Sequence, residues 1–102
     1  MSNIDQIVTA TTVAAAHRMD LGAPLRSGDF NNLTTSAGVL MVSVDNKVTW
    51  TRYEKGDARH WFAEETRGNR MNVPSNFVQV VYVYALAAGN SYFQISDPTF
   101  WG

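Results

Sequence analysis

The run FVQVVYVYALA at residues 77–87 limits what this chain can fold into more than any other part of it. Eleven consecutive positions hold β-branched, aromatic and aliphatic side chains with Gln79 as the one polar residue, and that composition favours a strand. Alternation puts Val78, Val80, Tyr82, Tyr84 and Leu86 on one face and Phe77, Val81, Val83 and Ala85 on the other. With both faces apolar, the strand needs cover on both sides, which places it in the middle of a sheet and not at an edge.

The segments around this strand carry mixed signals. In residues 3–21, Ile4, Ile7, Val8, Ala15 and Met19 fall at helical spacing, Ser2 or Asn3 can cap, and Gly22 can supply the left-handed residue that ends a helix. The spacing predicts an N-terminal helix, against a counter-signal: residues 7–13, IVTATTV, are dense in β-branched side chains that suit an extended chain. Residues 22–38 contain Pro24, Gly28, three Asn or Asp residues from Asp29 to Asn32 and the Thr34-Thr35-Ser36 run, and read as a long loop. A compact domain keeps such a loop when it binds something, pairs with a neighbour or hides a short strand, here over 29–33.

Residues 39–44 and 48–54 flank Asp45-Asn46, two residues that tolerate positive φ, and predict a hairpin with a type I′ turn. After Gly56-Asp57, residues Ala58, Trp61, Phe62 and Glu65 share a helical face, which predicts a second short helix over 58–67. The alternative there is a strand, with His60 and Phe62 on one face and Trp61 and Ala63 on the other. Beyond the central strand, Ala88-Gly89-Asn90 reads as a hairpin turn, residues 91–96 as the returning strand, and Pro98 as the point where the tail leaves the sheet. The expected fold is α+β: a small single domain over residues 1–102, with an antiparallel sheet of about four to five strands, an N-terminal helix and a second short helix. A mainly-β sandwich is the alternative.

Composition narrows the function by exclusion. An apolar content of 45% with 17% charged residues belongs to a folded domain, and a net charge of −1 argues against nucleic acid as the main partner. The absence of cysteine removes disulfides, thiolate zinc sites and cysteine nucleophiles. The two histidines, His17 and His60, lack the spacing of metal motifs; Gly22, Gly28 and Gly38 are too far apart for a phosphate loop; and no serine sits in a nucleophile elbow. No catalytic, cofactor-binding or metal residue is therefore assigned. The opening residues carry an acid where a signal peptide needs bases, and no apolar run reaches 18 residues. The expectation is a chain without a membrane span that stays in the cytoplasm of the producing cell, with later release left open.

Residues 52–70 hold five of the eight Lys and Arg residues together with His60, Glu54, Asp57, Glu64 and Glu65. That mixture reads as a salt-bridged surface; the enzyme alternative would use His60 as a base steered by Glu64 or Asp57. The 12% aromatic content points instead to contacts. Trp50, Tyr53 and Trp61 are the candidate ligand-binding residues, as amphipathic rings that stack on sugars or fill interfaces. Phe100 and Trp101 are the candidate oligomer contact, because two such rings at a chain end are costly to leave in water. The reading is a non-enzymatic, self-associating structural or assembly subunit, a homo-oligomer of the kind that phages or other particles use as accessory proteins. The alternatives are a carbohydrate or small-ligand binding module, with a glycan or protein partner, and a small enzyme built on His60.

Overall fold

The computed structural model describes residues 3–10, 12–62 and 78–100. Its strands are β1 (Ile4–Val8), β2 (His17–Asn32), β3 (Leu40–Ser43), β4 (Thr51–Tyr53), β5 (Ala58–Phe62), β6 (Val78–Ala85) and β7 (Ser91–Phe100). They form one antiparallel sheet in the order β1-β7-β2-β6-β3-β4, with β5 also paired to β2. The α+β expectation is thus overturned: the described residues contain seven strands and no α-helix, and their one helical element is the 3₁₀ turn Val13–Ala15.

In place of the N-terminal helix over 3–21 stand β1, the 3₁₀ turn and the start of β2, and of the β-branched run at 7–13 only Ile7 and Val8 lie in β1. Ile4, Gln6 and Val8 alternate with the exposed Asp5 and Ile7, and the strand pairs with β7 in unbroken register from Ile4↔Ile95 to Val8↔Ser91. β-Branched side chains pack well on a pleated surface and lose χ1 freedom in a helix, so the apparent helical spacing was coincidental. The second helix fails in the same way. Residues 58–62 are β5, paired with β2 from Asn31↔Ala58 to Ser27↔Phe62; residues 63–67 lie outside the described residues.

The expected long loop at 22–38 is mostly strand. β2 pairs with β6 over His17–Asp20, turns a corner, and runs on between β7 and β5. At the corner Asp20 accepts a hydrogen bond from the Gly22 N–H at 2.9 Å, and Gly22 adopts φ +80°, a conformation that costs glycine little. Three extra residues are accommodated there, between Asp20↔Val80 and Leu25↔Val78. Gly28 is buried, and a Cβ in its place would lie 3.0 Å from Ile95 Cγ2. The turn residues of this stretch therefore mark bulges and a close strand approach, which sequence patterns do not separate from a loop.

β6 takes the interior place its composition demanded, between β2 and β3. Val81, Val83 and Ala85 are buried, whereas Val80, Tyr82 and Tyr84 on the opposite face are half-buried and Leu86 is exposed. The core joins these with Val8, Leu25, Phe30, Leu40, Val42, Phe93 and Ile95. Although three places separate β1 from β6 in the sheet order, Ala10 forms a parallel bridge with Ala85. The sheet must curl for those two to meet, and the core fills the inside of the curl.

The expected β6–β7 hairpin is absent. The two strands follow one another in sequence, but β6 pairs with β2 and β3 while β7 pairs with β1 and β2. Their connection is held by the 36–39 segment instead, through Ala37 N–H to Asn90 O at 3.0 Å and Leu86 N–H to Val39 O at 3.2 Å. The β3–β4 hairpin forms with its turn one residue later than expected: Asn46 and Lys47 have φ +59° and +68°, and the Val48 N–H reaches Asp45 O at 3.3 Å.

Candidate functional site

Trp50, Tyr53 and Trp61 do not gather on one surface. Trp50, just before β4, meets the Tyr84 ring edge-to-face at 4.8 Å between centroids, on the outer face of β6. Tyr53 is 5% exposed and belongs to the core, with the Arg59 guanidinium 5.1 Å from its ring centroid. Its burial pushes the phenol pKa above its ordinary value; nearby Arg59 opposes the shift and Asp57 adds to it. Trp61 stacks on the buried Phe30 at 6.2 Å, and Phe30 in turn meets Phe93 edge-on at 5.6 Å. Trp50 and Tyr53 separate because they lie at positions of opposite parity on an extended chain.

His60 faces Asp29 directly across the β2–β5 ladder, with Nδ1 2.8 Å from Asp29 Oδ1. Both side chains are well exposed, at 60% and 42%, and Phe62 stacks beside the imidazole. Asp57 is engaged elsewhere, accepting a hydrogen bond from the Glu54 N–H at 2.7 Å, and Glu64 lies outside the described residues. The pair is an exposed cross-strand hydrogen bond, and its members are 31 residues apart in a sequence that gave no sign of their meeting.

Phe100 is the final residue of β7, half-buried against the core and paired with Leu25. The tail does not leave the sheet at Pro98: β7 passes through a bulge at Asp97, φ +50°, with Pro98 buried, and resumes pairing at Thr99↔Ser27. Trp101 lies outside the described residues.

Two clefts of about 400 Å³ each open on the surface. One is lined by Arg18, Asp45, Asn46, Gln79, Val80 and Tyr82 among others, and Lys47 Nζ sits 4.8 Å from the centre of the Tyr82 ring. The Asp45 carboxylate is pinned there: it accepts hydrogen bonds from the Thr49 hydroxyl, the Thr49 N–H and the Ser43 hydroxyl, and those bonds hold its pKa below the usual carboxylate value. The other cleft has the polar side chains of Asn31, Thr34, Asp57, Gln94 and Ser96 on its walls. Behind it the buried Asn32 amide donates to Gly38 O at 3.0 Å and Tyr53 O at 2.9 Å, leaving its own Oδ1 without a donor among the described residues. None of Trp50, Tyr53 and Trp61 lines either cleft.

A further candidate surface is a sheet edge, which the expectation of a helix had hidden. Among the described residues β1 forms a ladder with β7 alone, so its other side has no strand partner until Ala10 bridges Ala85, and Ile7 on that stretch is 55% exposed. Among those residues no group of three or more His, Asp or Glu side chains is placed to hold a metal ion, and no helix is long and apolar enough to cross a membrane. Compared with family models, curated proteins and solved structures, the chain matches none of them, so its own geometry has to carry the functional reading.

Proposed function

We propose that this chain is a non-enzymatic structural subunit that associates with copies of itself through its sheet. The observation that carries the reading is the side of β1 that has no strand partner among the described residues, where the one backbone contact given is the Gln6 amide on the Ile7 carbonyl and an exposed isoleucine flanks the edge. The exposed Phe62 on β5, itself paired only to β2 among the described residues, adds a second apolar edge position. Static light scattering on the purified chain at micromolar concentration tests the reading. A mass of at least two chains is expected, and a mass of one chain across that range would overturn it.

A binding role has support of its own in the cleft beside Tyr82. An aromatic ring flanked by Arg18, Asn46 and Gln79 combines a stacking face with hydrogen-bonding groups, the pairing that sugars and similar polar ligands require. A glycan array supports this second reading if it gives hits that Tyr82→Ala abolishes. An array without hits removes it.

A further inference from the structure

Natural sheets guard their edges with lysine, proline, bulges or very short strands. β4 is three residues long and carries the Arg52–Glu54 ion pair at its end, and β5 carries Arg59 and His60. β1 is guarded less: its five residues, IDQIV, include no Lys, Arg or Pro, Asp5 is its one charge, and its ladder to β7 runs without a register shift.

The direction of its backbone groups follows from its partner. In an antiparallel ladder, facing residues either exchange both backbone hydrogen bonds or neither. Tyr92, which faces Ile7, donates its N–H to Ser36 Oγ at 2.7 Å and accepts from the Leu33 N–H at 3.0 Å, on the side away from β1. The N–H and C=O of Ile7 therefore point out of the sheet, and those of Asp5, two residues earlier, do the same. The Gln6 amide folds over to donate to Ile7 O at 2.9 Å, as expected of a carbonyl that has no ladder donor.

We infer that β1 is the contact strand: two copies of the chain join β1 to β1, antiparallel about Gln6, and continue the sheet across a two-fold axis. This deepens the self-association reading and rests on it. Centring on Gln6 sets Asp5 opposite Ile7 of the second copy, so that the outward groups of both residues exchange hydrogen bonds. All five residues of β1 are then paired, and Ile4 lies opposite Val8 of the other copy on the core side. The exposed Ile7 side chains come within diagonal reach of one another. Centring on Asp5 would oppose two carboxylates, and centring on Ile7 would pair Asp5 with Thr9, beyond the end of β1.

The test is the solution mass of the intact chain and three variants at one concentration, with far-UV circular dichroism confirming the fold. Ile7→Asp places like charges opposite Asp5 of the second copy, and Ile7→Pro deletes an outward N–H that the subunit's own ladder does not use; each is expected to halve the mass. Ile7→Lys places a cation opposite Asp5 and is expected to keep the wild-type mass. If the wild-type chain is monomeric, this inference and the self-association reading both fall. If it is oligomeric and Ile7→Asp leaves the mass unchanged, the inference alone falls, because association then runs through another surface. Loss of mass in Ile7→Lys equal to that in Ile7→Asp would overturn the Gln6-centred register.

Discussion

Two aromatic clusters built from the same kinds of side chain sit on opposite faces of this sheet. Phe30, Phe93 and Trp61 meet on the core side, where Phe30 and Phe93 are each 1% exposed. Trp50, Tyr84 and Tyr82 lie on the outer face of β6, half-buried, with Lys47 over the Tyr82 ring. In the first cluster the rings occupy volume that nothing else can fill. In the second they shield one another while keeping ring edges and a cation in contact with water. An aromatic residue in a sequence thus announces a contact without saying whether it is structural or available, and strand parity decides which.

The sharpest way to break the comparison is truncation inside. Phe30→Ala removes a ring in contact with both Phe93 and Trp61 and should destabilise the chain by ~3–5 kcal/mol, measured by urea denaturation. A loss of under 1 kcal/mol would mean that the inner cluster is no better packed than the outer one. Next in size is Asn32→Ala, which strips the donors from the Gly38 and Tyr53 carbonyls and should cost about 2–3 kcal/mol. Outside, Trp50→Ala should cost only ~0.5–1.5 kcal/mol, since its partner Tyr84 stays half-exposed either way.

The two faces should also respond at opposite ends of the pH scale. The raised pKa of Tyr53 means that the folded state holds the phenolic proton more tightly than the unfolded chain. That stabilisation is complete below the ordinary tyrosine value and is lost as the pH rises through the raised one. Tyr53→Phe should accordingly show a smaller alkaline loss of stability than the wild type. Asp45 on the outer hairpin has a lowered pKa, so its contribution is present above the ordinary aspartate value and fades as the pH falls through the lowered one. Asp45→Asn should flatten that acid limb, with the smallest effect of the set because the carboxylate is solvent-exposed.

The sequence made the middle of the sheet legible and hid its flanks. β6 was visible because an unbroken β-branched and aromatic run has few alternatives, and the β3–β4 hairpin because asparagine tolerates the positive φ that the turn needs. β2 was hidden because Gly22, Pro24 and Gly28 signal a turn wherever they occur, whereas here they serve a corner and a close approach to β7 within one long strand. β1 showed only as a counter-signal and β5 only as the alternative to a helix, because five residues are too few for period 2 to be told from period 3.6. Residue type marks Trp50, Tyr53 and Trp61 as ligand candidates, and type does not record which side of a strand a ring will take. The β1 edge could have been anticipated only by weighting the IVTATTV run above the helical spacing.

The pairing of β1 with β7 also sets an order of events in time. Ile4 lies beside Ile95, so the earlier strand must wait for almost the whole chain before its own partner exists. β2 waits nearly as long, since its ladders require β5, β6 and β7. Closing such long loops must precede any gain from the contacts they permit, which places folding in the millisecond-to-second range typical of non-local β topologies. Throughout that wait IDQIV lacks its ladder partner. Whatever occupies it first, β7 of its own chain or β1 of another, decides whether a newly made copy matures or is captured by its neighbours.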